Sequence, residues 1–73
     1  MNITACVEST TGSTVGVLIR RREIRLLDGD NTPIRRFGLK AFAGLTGELD
    51  LPEHDVTLDA AAVAQIQKWA AGI

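Results

Sequence analysis

The clearest repeat of apolar residues at helical spacing in this chain lies at its end. Leu58, Ala62, Val63, Ile66, Trp69 and Ala70 fall on a single stripe. Ala60, Ala61, Ala62 and Ala64 are among the strongest helix formers. Thr57 or Asp59 can accept from the amides left without partners in the first turn, and Asp59 also complements the positive end of the helix dipole. Gly72 supplies a stop. Nearly everything before this segment reads with the period of strands. The chain must therefore build its core by laying one helix across a sheet.

Ile3, Ala5 and Val7 alternate with Asn2, Thr4, Cys6 and Glu8, as in a strand with one buried face. Ser9-Thr10-Thr11-Gly12-Ser13 is a turn cluster, and Val15, Val17 and Ile19 resume the alternation. These two strands are expected to form a hairpin with a five-residue loop. No turn residue separates Ile19 from Ile24 and Leu27, so residues 14–28 read as one long strand bulged at Arg20-Arg21-Arg22. A helix from Ser13 is the rival reading, and Gly16 and the β-branched residues disfavour it.

Asp28-Gly29-Asp30-Asn31-Thr32-Pro33 is a strong turn, followed by a strand over Ile34 to Phe37. A second hairpin should thus pair Ile24–Asp28 with Ile34–Phe37. Gly38 to Gly47 fits either a short helical turn or a loop. Glu48, Leu49, Asp50 and Leu51 alternate until Pro52 ends the strand. The expected fold is one α+β domain over residues 1–73: a small antiparallel sheet of three to five strands, in two successive hairpins, with one C-terminal helix packed across it.

With 73 residues, such a domain buries only about 60% of the surface its unfolded chain exposes. One Cys forms no internal disulfide, and one Cys with one His falls short of the four ligands of a structural zinc site. Stability must come from packing or from a partner subunit, and a homodimer is expected. The start of the chain lacks the basic and apolar regions of a secretory signal, and no apolar run is long enough to span a membrane. The lone Cys6 suits a reducing compartment, so the expected location is cytoplasmic. Asn2-Ile3-Thr4 matches a glycosylation pattern by chance. Trp69, on the apolar stripe, is expected in the core. Ala60, Ala64 and Ala71 with Gln67 are expected on the opposite side of the helix.

Few residues invite chemistry. His54 stands between Glu53 and Asp55 and reads as part of a solvated loop. Cys6 falls on the polar side of its strand with no neighbour in sequence to activate it. Gly44-Leu45-Thr46-Gly47 lacks the Lys of a phosphate loop. Asp28, Asp30 and Asn31 resemble the start of a calcium loop, yet Leu39 occupies the position of the closing Glu. No catalytic residue, metal or cofactor is expected.

The distinctive feature is charge. The formal net charge of −1 hides a net of +4 over residues 20–40 and a net of −4 over residues 41–73. Six Arg against two Lys, with abundant Ala and Gly, suit a GC-rich genome and a small bacterial or phage accessory protein. Arg20, Arg21, Arg22, Arg25, Arg35 and Arg36 form the candidate partner-binding set. The planar fork of Arg pairs carboxylates in bidentate fashion and is enriched at protein interfaces. The expected function is therefore a non-enzymatic protein-binding module, an inhibitor or adaptor on the surface of a larger complex, whose partner carries an acidic patch. The alternative is a nucleic-acid-binding protein in which Arg20, Arg22 and Arg35 track phosphates on a β surface. The negative net charge and the lack of Tyr or an evident exposed aromatic pair weaken that alternative. A plain solvated face, and a small subunit with no separate activity, complete the readings.

Overall fold

Four strands follow one another along the chain and lie side by side in the same order: β1 (Asn2–Glu8), β2 (Thr14–Arg20), β3 (Glu23–Leu27) and β4 (Pro33–Gly38). Each neighbouring pair is antiparallel. This is a computed structural model, and it describes residues 2–72 apart from the side chains of Asn2 and Ile3. The inward placement expected for Ile3 lies outside the described residues.

Alternation sorts the side chains as period two requires. Val15, Val17, Ile19, Ile24 and Leu26 share one face and are fully buried. Covering that face are α1 (Leu39–Ala43), a hairpin of β5 (Leu49–Leu51) and β6 (Val56–Leu58), and α2 (Ala60–Ala71). They contribute Phe42, Leu51, Val56, Leu58, Val63 and Ile66 to the same core. The chain is thus the expected α+β domain, with the C-terminal helix across an antiparallel sheet.

The strand expected over residues 14–28 is instead two strands. Arg20 pairs with Glu23, so Arg21 and Arg22 alone reverse the chain. Tight hairpins need a positive φ, which Gly or Asn usually supplies. Here Arg21 takes it, at 48°, so the sequence carries no turn signal at the place where the chain turns. The turn after β3 is ordinary by contrast. Asp28 Oδ1 accepts from the amides of Asp30 at 2.8 Å and Thr32 at 2.9 Å, and Asn31 takes a φ of 64°.

The structure sharpens three further expectations. Thr57 lies in β6, a strand that the sequence reading missed, and Asp59 is the helix cap: its Oδ1 accepts from the Ala62 amide at 2.8 Å. β6 is only three residues long, and the 3-10 turn Pro52–His54 before it closes through Asp55 at a φ of 53°. Trp69 is half-buried at the rim of the core, while Ile66 is fully buried. Gln67 shares one side of α2 with the exposed Ala60, Ala64 and Ala71, as expected, but it is half-buried there. Its side-chain amide donates to the carbonyls of Phe42 at 3.0 Å and Leu45 at 2.8 Å, tying α2 to the end of α1.

Ser9 is the buried polar residue that joins the sheet to the hairpin. Its hydroxyl accepts from the Thr57 amide at 2.9 Å and lies 2.7 Å from Thr11 Oγ1. The Thr10 amide donates to the Thr57 carbonyl at 2.8 Å, and Thr11 Oγ1 donates to the Asp55 carbonyl at the same distance.

Candidate functional site

The outer face of the sheet carries the residues that alternate with the core. Successive rows read Arg20 beside Glu23, then Thr4, Leu18, Arg25 and Arg36 in line, then Cys6, Gly16 and Leu27. Leu18, Glu23, Arg25 and Leu27 are half-buried, whereas Thr4, Cys6, Arg20 and Arg36 are exposed. Gly16 has a packing reason: a Cβ there would stand 3.3 Å from Leu27 Cβ.

Arg25 and Arg36 are directly opposed, which for like charges is unfavourable. Glu23, two residues before Arg25 and therefore on the same face, offsets the repulsion. Its Oε2 accepts from Arg25 Nε at 3.1 Å, and its Oε1 stands 3.0 Å from Arg36 Nε. Both contacts run through Nε. None of the side-chain hydrogen bonds among the described residues uses the Nη groups of either arginine. Two guanidinium groups are thus held side by side by one carboxylate, with their terminal donors uncommitted.

The turn adds Arg21 and Arg22, both exposed. It is fixed from behind, because the Leu39 amide at the start of α1 donates to the Arg22 carbonyl at 2.8 Å. A shallow groove of about 410 Å³ is lined by Arg20, Arg21, Arg22, Glu23 and Arg25. A second, of about 330 Å³, is lined by Arg25, Pro33, Ile34, Arg35 and Arg36. The two grooves share Arg25, and between them they contain all six candidate arginines.

Those six do not form one β surface. Arg35 pairs with Leu26, whose side chain is in the core, so Arg35 leaves on the opposite face from Arg36. Its guanidinium lies 5.2 Å from the centroid of the Phe37 ring. Phe37 in turn meets Phe42 edge-on, with centroids 5.2 Å apart. Arg22 sits in the turn rather than on a strand. The row of Arg20, Arg22 and Arg35 imagined as a phosphate track is therefore absent from this surface.

Charge is also sorted along the strands. Arg20, Arg21 and Arg22 lie where β2 meets β3. Glu8, Asp28 and Asp30 lie at the other end of the meander, where Thr11 also binds Asp55. The spacing of two between Glu23 and Arg25 is the one signal in the sequence that points to their contact. Ser9 passed as an ordinary turn residue.

The remaining candidates stay apart. Cys6 is exposed on the outer face, and His54 is exposed on the hairpin that packs against the other face. Among the described residues, no three His, Cys, Asp or Glu side chains gather in a way that could hold a metal ion. No helix among them is long and apolar enough to cross a membrane. Compared with known protein families, with curated proteins and with solved structures, the chain matches none.

Proposed function

We propose that this protein is a non-enzymatic binding module that docks on another protein through Arg20, Arg21, Arg22, Arg25 and Arg36, with Arg35 at the margin. In this reading it acts as an inhibitor or adaptor of a larger complex. One observation carries it: Arg25 and Arg36 stand paired under a single carboxylate, and Arg20, Arg21 and Arg22 line a groove with Glu23 and Arg25. Ordering long side chains costs entropy on binding, and guanidiniums already held by Glu23 lose less of it. Half-buried Leu18 and Leu27 beside them offer apolar area that a partner can finish covering. The partner surface is acidic, because desolvated arginines need carboxylates in return.

A polyanion would also feel this charge. A single strand of nucleic acid wants aromatic platforms as well. Phe42 is buried, Phe37 lies beneath Arg35, and Trp69 packs on the core side. That favours a protein partner.

The test is capture from the native host with purified wild type and with Arg20→Glu/Arg22→Glu. A stoichiometric protein complex with wild type, lost in the variant, supports the reading. Retention of nucleic acid, with a steep salt dependence and no protein, turns it to the alternative.

A further inference from the structure

The strand order leaves β4 at an edge of the sheet, and the bonding pattern identifies which of its backbone groups face outward. In an antiparallel ladder, hydrogen-bonded and non-bonded pairs alternate. The Leu39 amide bonds to the Arg22 carbonyl. Counting back from that bonded pair, Gly38 and Glu23 are a non-bonded pair, Phe37 and Ile24 a bonded one, and Arg36 and Arg25 a non-bonded one. The N–H of Gly38 and both the N–H and C=O of Arg36 therefore point away from β3. No turn, loop or cap hydrogen bond among the described residues engages them.

We infer that this edge receives an extended acidic segment of the partner protein as a fifth strand of the sheet, an inference that rests on the protein-binding reading above. An unpaired edge is a template for any strand unless something selects among them. Here charge selects. Arg36 projects on the outer face, and Arg35 on the core side. A second copy adding its own β4 would set arginines against arginines, while an acidic strand would meet a cation on both sides. The groove of about 330 Å³ bounded by Arg25, Pro33, Ile34, Arg35 and Arg36 gives those side chains room. Pro33 and the register shift at Leu26 and Leu27 confine pairing to the length from Arg35 to Gly38.

The pleat then specifies the incoming sequence. A residue opposite Arg36 joins the outer face and is acidic. The neighbour opposite Arg35 projects to the core side and is also acidic. The residue opposite Phe37 meets a half-buried ring and is apolar.

The probe is a short capped peptide labelled with fluorescein, with a palindromic valine–glutamate–glutamate–valine centre between threonines, so that either strand direction presents the motif. Binding to the full chain is read by fluorescence anisotropy, and backbone pairing by amide exchange. The inference expects saturable binding that is lost when the two glutamates are replaced by lysine. Binding is also lost when the central backbone amides are N-methylated. The Arg36 and Gly38 amides should exchange at least about tenfold more slowly in the complex. Arg36→Glu should abolish binding and Arg36→Gln weaken it, both with unchanged circular dichroism. Equal binding of the N-methylated peptide overturns strand addition, since attraction by charge alone needs no amide. Absence of binding, or binding that survives Arg36→Glu, overturns it too. Loss of the native complex in Arg20→Glu/Arg22→Glu is read separately, so the arginine face can stand while the edge strand falls.

Discussion

Arg25 and Arg36 face each other across β3 and β4 as a directly opposed pair of like charges, and both lean on Glu23. The arrangement is an organising device more than a stabilising one. Glu23 keeps 28% of its side-chain surface exposed and Arg36 keeps 71%, so solvent screens the contact. Glu23→Gln should cost less than about 1 kcal/mol in urea unfolding. The Arg25 Nε–H should exchange faster with water in that variant, as seen by NMR. A loss of several kcal/mol would show that the trio holds the fold together instead.

Arg21 occupies a positive φ without being glycine. Arg21→Gly should relieve that strain and gain about 0.5 kcal/mol, the Gly entropy cost offsetting part of the relief. The unfolding midpoint should rise with no change in denaturant slope. Destabilisation would mean that the Arg21 side chain makes a contact that outweighs its backbone strain.

Ser9→Ala removes the acceptor of the Thr57 amide from a buried site. The cost should be about 1–3 kcal/mol, because a buried donor is left unsatisfied. Amide exchange should accelerate first at Thr57 and Thr10, where the loop is stitched to β6. Uniform acceleration across the sheet would contradict this local role.

Ile66 and Trp69 reverse the order that size alone suggests. Ile66 is fully buried and Trp69 only half so. Ile66→Ala should cost about 3–4 kcal/mol, within the range for buried aliphatic truncations. Trp69→Ala should cost about 2 kcal/mol, in keeping with partial burial. Chemical denaturation of both variants checks the order, and a larger loss at Trp69 would return it to the centre of the core.

The homodimer expected from the small core is a proposal that the same surfaces constrain. A twofold dimer uses one patch on both copies. Arg35 and Arg36 oppose pairing of β4 with itself, which directs a dimer to the β1 edge or to the exposed Ala60, Ala64 and Ala71. Equilibrium sedimentation should find a dimer at tens of micromolar, and monomer alone would remove the claim.

The fold was legible wherever local chemistry and global fold agreed. The alternation in β1 and β2, the Asp28 turn and the capped α2 each carry their own signal in adjacent residues. The failures share a cause. Arg21 turns without a turn residue because the neighbouring strands impose the reversal, and β6 is too short for alternation to register. The six arginines were legible as a group, but not their partition. Which of them share a face depends on the register across three strands, and the two-residue turn sets that register. The roles of Glu23 and Ser9 are tertiary contacts, one of them reaching across 48 positions of sequence.

The most direct test of the protein-binding claim is a quantitative comparison of what wild type and Arg20→Glu/Arg22→Glu retain from the native host lysate after nuclease treatment. Both residues are exposed, so circular dichroism and the thermal midpoint should be unchanged. The account predicts one protein held in stoichiometric amount by wild type and absent from the variant. Charge reversal of that protein's acidic patch should then restore part of the affinity. Equal retention by both proteins would contradict it, because the arginines would then be a solvated face and not the binding surface.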